Sequence, residues 1–324
     1  MLKKIITLIS TFFLIIFIST YYDFFNFNFN EDQLKSVKFI FKFYIIISSI
    51  CFLLGELTKN YSQIDKVWSL VPIFVVWYFT LSSNFNNRMT IMSILVTIWG
   101  LRLTYNFSRR GGYSIYFWKG EEDYRWKEVR KSLTIFKSNF NWSLFNLFFI
   151  SFYQMGLIFL FSLPILSAWQ GSNNPLNIYD YIISFLMLVF IVLETIADQQ
   201  QYNFQSEKYR KIKNGEKLDG MYVDGFISKG LWSLSRHPNF ASEQMIWICF
   251  YLFSISATGQ LFNWSISGCL LLIILFYNSA RFSEEISSKK YPKYYNYQKR
   301  VPMFIGIKKI NYLSFSKINS FIPF

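Results

Sequence analysis

The chain is written in apolar blocks of roughly 15–25 residues, the length an α-helix needs to cross a hydrocarbon core of about 30 Å. Such blocks stand near 5–20, 38–55, 67–82, 90–107, 142–168, 178–197, 240–257 and 264–280. None alternates polar and apolar residues in the ten-residue pieces of a membrane β-barrel. A helix satisfies its own backbone hydrogen bonds, which hydrocarbon demands. The expected fold is therefore all-α: a polytopic integral membrane helical bundle of about seven to eight transmembrane helices.

The formal charge of +14 might suggest a nucleic-acid partner, but its distribution excludes one. Basic residues gather at Lys3 and Lys4, in the loop Arg109–Lys137, in the loop Lys208–Arg236 and in the tail Arg281–Lys317. The connections near 169–177 and 257–263 carry no charged residue. Threaded through eight spans, every basic segment falls on one side, with Lys59 and Lys66. Asp23, Glu31 and Asp32 fall on the other. By the positive-inside rule both termini are expected in the cytosol. Arg88 alone sits on the wrong side.

The first block follows Lys3 and Lys4 as a signal peptide would, yet no small-residue cleavage site succeeds it, so a retained span is expected. Cys51, Cys249 and Cys269 lie in apolar stretches without a CxxC pair, and neither a disulfide framework nor a metal site is expected from them. The FNFNFN stretch, Phe25–Asn30, is read as a compositional quirk.

Three polar constellations interrupt the apolar sequence. Arg102, Asn106 and Arg109 follow one another at i, i+4, i+7 and share a helix face. Arg110, Gly111 and Gly112 come directly after. Guanidinium forks beside glycines suit an anion; snorkelling arginines at a cytosolic interface have the same pattern. Glu194, Asp198 and Gln201 repeat the spacing in a later span. Two carboxylates a turn apart serve acid–base work, a metal or ribose hydroxyls, or simply mark a helix emerging into water. The third is the run Leu231–Phe240, LWSLSRHPNF, with the only histidine. Pro238 fits a first helical turn, so Asn239, Glu243 and Trp247 share a face, with Arg236 and His237 at the helix start where anions are favoured. EEDYRW, Glu121–Trp126, reads either as a folded lid that pairs with the arginines or as a solvated amphipathic stretch. Tyr291, Tyr294, Tyr295 and Tyr297 are expected mostly as interfacial anchors.

Set in order, YSQIDKVWSL (Tyr61–Leu70), WGLRLTYN (Trp99–Asn106), EEDYRW, ETIADQQQYNF (Glu194–Phe204), GLWSLSRHPNF (Gly230–Phe240) with Glu243, and YPKYYNYQKRVPMFI (Tyr291–Ile305) resemble the steroid 5-alpha-reductase family of membrane reductases. The likeness is to a largely uncharacterised branch that carries the reductase C-terminal domain. It divides the chain into membrane spans over 1–60, a reductase-like domain over 61–306 and a tail over 307–324.

The resemblance implies an NADPH-dependent reductase of a carbon–carbon double bond, enone-like, in a hydrophobic lipid or sterol-type substrate. It implies an endoplasmic-reticulum or other endomembrane location in a eukaryote. Carried over by motif, Asp198, Asn239 and Glu243 would contact the nucleotide and Arg236 and His237 its phosphates or ribose. Arg102, Asn106, Arg109 and Arg110 would add to the same cofactor site. The steroid enzymes pair a tyrosine with a glutamate for proton delivery. Here Trp99 stands in the tyrosine's place, Asp65 is the nearest counterpart of the glutamate, and Tyr105 is the nearest phenol. Two other readings share parts of the pattern. Isoprenylcysteine carboxyl methyltransferases, which use S-adenosylmethionine, carry a run similar to RHPN. A non-catalytic lipid- or sterol-binding protein would explain Trp99.

Overall fold

The computed structural model describes residues 28–304, together with Ser10 and Leu14. Apart from Ser10 and Leu14, the expected first span at 5–20 lies outside the described residues, as do Phe25–Phe27 of the FNFNFN stretch and the tail at 307–324. All regular structure among the described residues is helical. In chain order the helices are α1 (Glu31–Thr58), α2 (Gln63–Val67), α3 (Leu70–Ser82), α4 (Asn87–Ser108), α5 (Tyr124–Ser132), α6 (Asn139–Gln170), α7 (Ile178–Lys213), α8 (Met221–Asp224), α9 (Pro238–Thr258), α10 (Ile266–Lys290) and α11 (Tyr294–Arg300). Five of these, α1, α6, α7, α9 and α10, are long and apolar enough to cross a membrane. α3 is apolar but only 13 residues long. α4 is long enough, yet Asn87, Arg88, Arg102 and Asn106 dilute its apolar character.

The chain divides into two compact units, Met1–Val189 with Gln244–Leu275, and Phe190–Glu243 with Phe276–Phe324. In the first, α1 begins with a reciprocal cap: Asn30 accepts from the Gln33 amide and donates its own amide to Gln33 Oε1. Its buried residues are Gln33, Ser36, Ile40, Ser48, Cys51 and Gly55, while Phe41, Ile46 and Leu53 are exposed. Small and polar residues face protein and large apolar ones face out, as lipid contact requires. α3 and α4 form an antiparallel hairpin. Its rungs are Ser69–Thr104 at 2.7 Å, Trp77–Thr97 at 2.9 Å and Thr80–Ser93 at 2.8 Å. Gly100 lets the two approach, since a Cβ there would meet Ser69 O at 2.7 Å.

The charge misplaced by the topology rule is neutralised. Arg88 Nε and Nη2 donate to both oxygens of Asp180 at 2.9 and 3.0 Å, and the guanidinium also reaches the Asn174 and Pro175 carbonyls.

In the second unit Phe204, Ile227 and Trp232 form one small core and Tyr294, Tyr297 and Val301 another. This corrects the reading of the tail tyrosines as interfacial anchors. Tyr294 and Tyr297 are core residues, and the Tyr297 hydroxyl donates to the Trp232 carbonyl. Tyr295, which stays exposed, keeps the surface position expected of it. Apolar flanks a few residues apart made all four look alike; only the turn of α11 separates inside from outside.

Candidate functional site

In the second unit a polar wall is assembled from α7 and the start of α9. α7 has 36 residues and so is about 54 Å long, well beyond a hydrocarbon core. Glu194 and Asp198, one turn apart on it, are both buried. The segment Gly230–Ser233 is docked against the same helix. Trp232 Nε1 donates to Ala197 O at 3.1 Å and the Leu231 amide to Gln200 Oε1 at 3.0 Å. Gly230, at φ +62°, passes so close that a Cβ would meet the Gln200 side chain at 2.5 Å.

The RHPN run follows. Pro238 opens α9, and Asn239 Nδ2 donates to Asp198 Oδ1 at 3.2 Å. Glu243, a turn further, is buried in the same unit. Gln201 Oε1 is buried without a hydrogen-bond partner. The wall thus joins Glu194, Asp198, Gln201, Asn239 and Glu243: carboxylates and amides, which accept from hydroxyl and amide groups.

Arg236 and His237 are committed elsewhere. Arg236 grips both oxygens of Glu284, with Nε to Oε1 at 2.6 Å and Nη2 to Oε2 at 3.1 Å, and gives Nη1 to the carbonyls of Gln298 and Val301. His237 Nε2 lies 3.0 Å from Glu284 Oε1, and Gln298 Nε2 donates to Oε2 at 2.8 Å. The amides of Arg236 and His237 donate to Pro302 O and Met303 O. Glu284 is therefore the hub that ties the RHPN run to the chain after α11. Glu284 is one of two adjacent acids near the end of α10. Its partner stands 48 residues away, and no local pattern announces such a pair.

The other predicted residues belong to the first unit. Arg109 donates from Nε and Nη2 to Asn106 Oδ1 and lies over the Tyr105 ring. Arg110 is exposed and Arg102 half-buried. Gly111, at φ +83°, and Gly112 make a tight crossing: the Glu121 amide donates to Gly111 O, and a Cβ on Gly120 would meet Gly112 O at 2.3 Å. Trp99 is fully buried, edge-on to Trp247 at 4.9 Å. Tyr105 points away and is 68% exposed. The two lie on different faces of α4, because six residues turn a helix through about 600°.

Asp65 sits in the elbow between α1 and α3, and here two of the family-like motifs meet. Lys66 Nζ, buried, donates to Gln63 Oε1, Phe117 O and Lys119 O at 3.2, 2.9 and 2.7 Å. The Tyr61 amide donates to Glu122, the Asp123 amide to Ser62 Oγ, and Tyr113 OH to Lys66 O. EEDYRW is thus a folded lid on the elbow, capped by Asp123, whose carboxylate holds Arg125. Burial pulls Lys66 down to about 8, so it stays an ammonium at neutral pH. Burial, reinforced by the Asp123 charge, pushes the Asp65 carboxyl up to about 6 against the relief given by Ser62, Arg125 and Trp126. Its Oδ2 is shut off from solvent without a hydrogen bond.

Comparison with known proteins adds lineage to this geometry. An uncharacterized protein of Schizosaccharomyces pombe is 35% identical over 270 residues, covering 80% of this chain and 76% of its own length. A probable 7-dehydrocholesterol reductase of Acanthamoeba polyphaga mimivirus is 28% identical over 147 residues, 42% of this chain and only 32% of that protein. No solved structure matches. Residues 51–301 match the family described as Protein of unknown function (DUF1295), a steroid 5-alpha-reductase-like family, and the chain belongs to it.

Proposed function

We propose that this chain is an integral membrane reductase that uses NADPH to saturate a carbon–carbon double bond conjugated to a carbonyl in a sterol-type or other hydrophobic lipid. The observation that carries the reading is the wall of buried Glu194, Asp198 and Glu243 with half-buried Asn239 donating to Asp198, and with Gln201 Oε1 as an unsatisfied acceptor. Carboxylates and amides withheld from water in an apolar chain cost free energy unless hydroxyl or amide donors meet them. The ribose hydroxyls and carboxamide of a nicotinamide dinucleotide are such donors. The sterol reductase named among the relatives supports the same class of chemistry.

NADPH, when bound, supplies the hydride. The chain's part is to orient the cofactor, exclude water and stabilise negative charge on the carbonyl oxygen. Asp198 and Asn239 fix one another and present a ribose-sized pair of polar atoms. Arg236 and His237 act through Glu284, holding the RHPN run in register. Of the groups suggested by resemblance for proton delivery, Asp65 is the carboxylic acid, and burial raises it to about 6. The endomembrane location and cytosolic termini belong to the same proposal.

The test is nucleotide binding by the full chain in detergent. NADPH at a hundred times its dissociation constant is expected to stabilise the fold by about 2.7 kcal/mol. Asp198→Asn and Glu243→Gln are expected to weaken binding at least ten-fold, about 1.4 kcal/mol each. NADPH consumption on a lipid extract should fall with them. Stabilisation by S-adenosylmethionine, with none by NADPH, would replace this reading with a methyltransferase.

A further inference from the structure

The lid region carries a second feature that the reductase reading does not use. Between α5 and the start of α6 the surface is hollowed into a basin of about 440 Å³ lined by Lys127, Arg130, Lys131 and Lys137. Among the described residues, the four that line it are all cations. The engagements of Lys127 and Lys131 are slight. Lys127 reaches Glu122 at 3.9 Å and Lys131 reaches Glu128 at 3.6 Å, with the lysine side chains 67% and 74% exposed. Arg130 is anchored, donating to Asn139 Oδ1 at 2.6 Å and lying over the Trp142 ring. Four cations lining one hollow make its potential positive, and an anion with several phosphate oxygens answers that charge.

What lies beside the basin indicates the source of the anion. α6 begins at Asn139 and runs on as a membrane-spanning helix. Its outward residues Phe140, Leu144 and Phe148, at i, i+4 and i+8, are 70%, 38% and 62% exposed. An apolar stripe therefore starts within one residue of the Arg130 partner and descends along the span. A free phosphate has no use for such a stripe. A phospholipid needs both, a charged rim for the headgroup and an apolar track for the chains.

We propose that the basin of Lys127, Arg130, Lys131 and Lys137 binds the headgroup of a polyanionic phospholipid, with the acyl chains laid along Phe140, Leu144 and Phe148. Arg130 is the fixed member and the three lysines are adjustable. Because EEDYRW leads directly into α5, the bound lipid also fastens the lid to the bilayer surface.

The experiment uses the full chain in detergent and short-chain dioctanoyl phosphatidylinositol 4-phosphate, with dioctanoyl phosphatidylcholine and inorganic phosphate as the comparison probes. The anionic lipid is expected to bind and the other two to bind at least ten-fold more weakly. Each of Lys127→Gln, Lys131→Gln and Lys137→Gln is expected to weaken the anionic lipid about five-fold, from roughly one charge–surface interaction apiece. These lysines lie outside the nucleotide wall, so NADPH affinity should not move. Undiminished lipid binding by the triple variant overturns the proposal. So does binding of inorganic phosphate as tight as that of the lipid, which would make the basin a soluble-anion site. Phe140→Ser separates the two sources independently: it should weaken lipid and leave phosphate unchanged.

Discussion

A guanidinium offers five N–H donors, and those of Arg236 already point at Glu284, Gln298 O and Val301 O. The sequence made the RHPN run visible, because charged and amide side chains next to an apolar helix ask for partners. It did not say which partner each residue of the run takes. Asn239 turns to Asp198 while its neighbour His237 turns to Glu284, a division made by the first turn of α9 and by the chain after α11. Asp65 gives the residue scale a pH test. Its folded pKa of about 6 lies above the ordinary 3.8, so the folded chain holds that proton more tightly than the unfolded one. The resulting stability is fully present below about pH 4 and is lost as pH rises through about 6. Asp65→Asn is therefore expected to raise the thermal midpoint at pH 7.5, with the gain shrinking toward zero near pH 4.5. Two pKa shifts of one unit correspond to roughly 2–3 kcal/mol at the high-pH end. A gain independent of pH would mean that ionisation is not its cause.

At the scale of elements, block length and hydropathy find α1, α6, α7, α9 and α10, because a membrane imposes length directly, whereas the blocks at 67–82 and 90–107 hold α3, which is too short, and α4, whose apolar character is diluted. What blocks conceal is how helices touch. α6 reads as one apolar run, yet it holds a π-helical stretch at Asn146–Tyr153 in which Asn146 donates to Glu56 and accepts from Ser151. α10 reads as a uniform span, yet Gly268 lies against the backbone of α6. A Cβ there would meet Leu160 C and O at 2.3 Å and Phe161 N at 2.4 Å. Backbone atoms cannot swing aside as a side-chain tip can, so the helices must separate. Gly268→Ala is expected to cost about 1–3 kcal/mol despite alanine's better helix propensity. Leu270→Ala, on the 41% exposed side of the same helix, should cost well under 1 kcal/mol. Thermal unfolding of both variants in one detergent compares them, and equal losses would remove the close-packing account of α10.

For the molecule as a whole, the one charge that the positive-inside expectation leaves out of place finds its partner far along the chain. Arg88 and Asp180 are 92 residues apart and both essentially free of solvent, at 1% and 0% exposure of their side chains. A guanidinium neutralised in two-point fashion no longer acts as a lone positive charge. The pair also joins the start of α4 to the start of α7, so it fixes two spans that the sequence leaves independent. Burying two charges is expensive, and their attraction offsets the cost only while both are present. Asp180→Leu and Arg88→Met are each expected to destabilise the protein by about 3–5 kcal/mol, since either leaves one buried charge unpaired. The double variant removes both charges and is expected to recover most of the loss, leaving the Asn174 and Pro175 carbonyls as the residual cost. Unfolding midpoints of the two single variants and the double variant form a closed cycle that measures the coupling. Additive losses would show that the two side chains stabilise the bundle separately, and the account of Arg88 as a neutralised exception would fall with them.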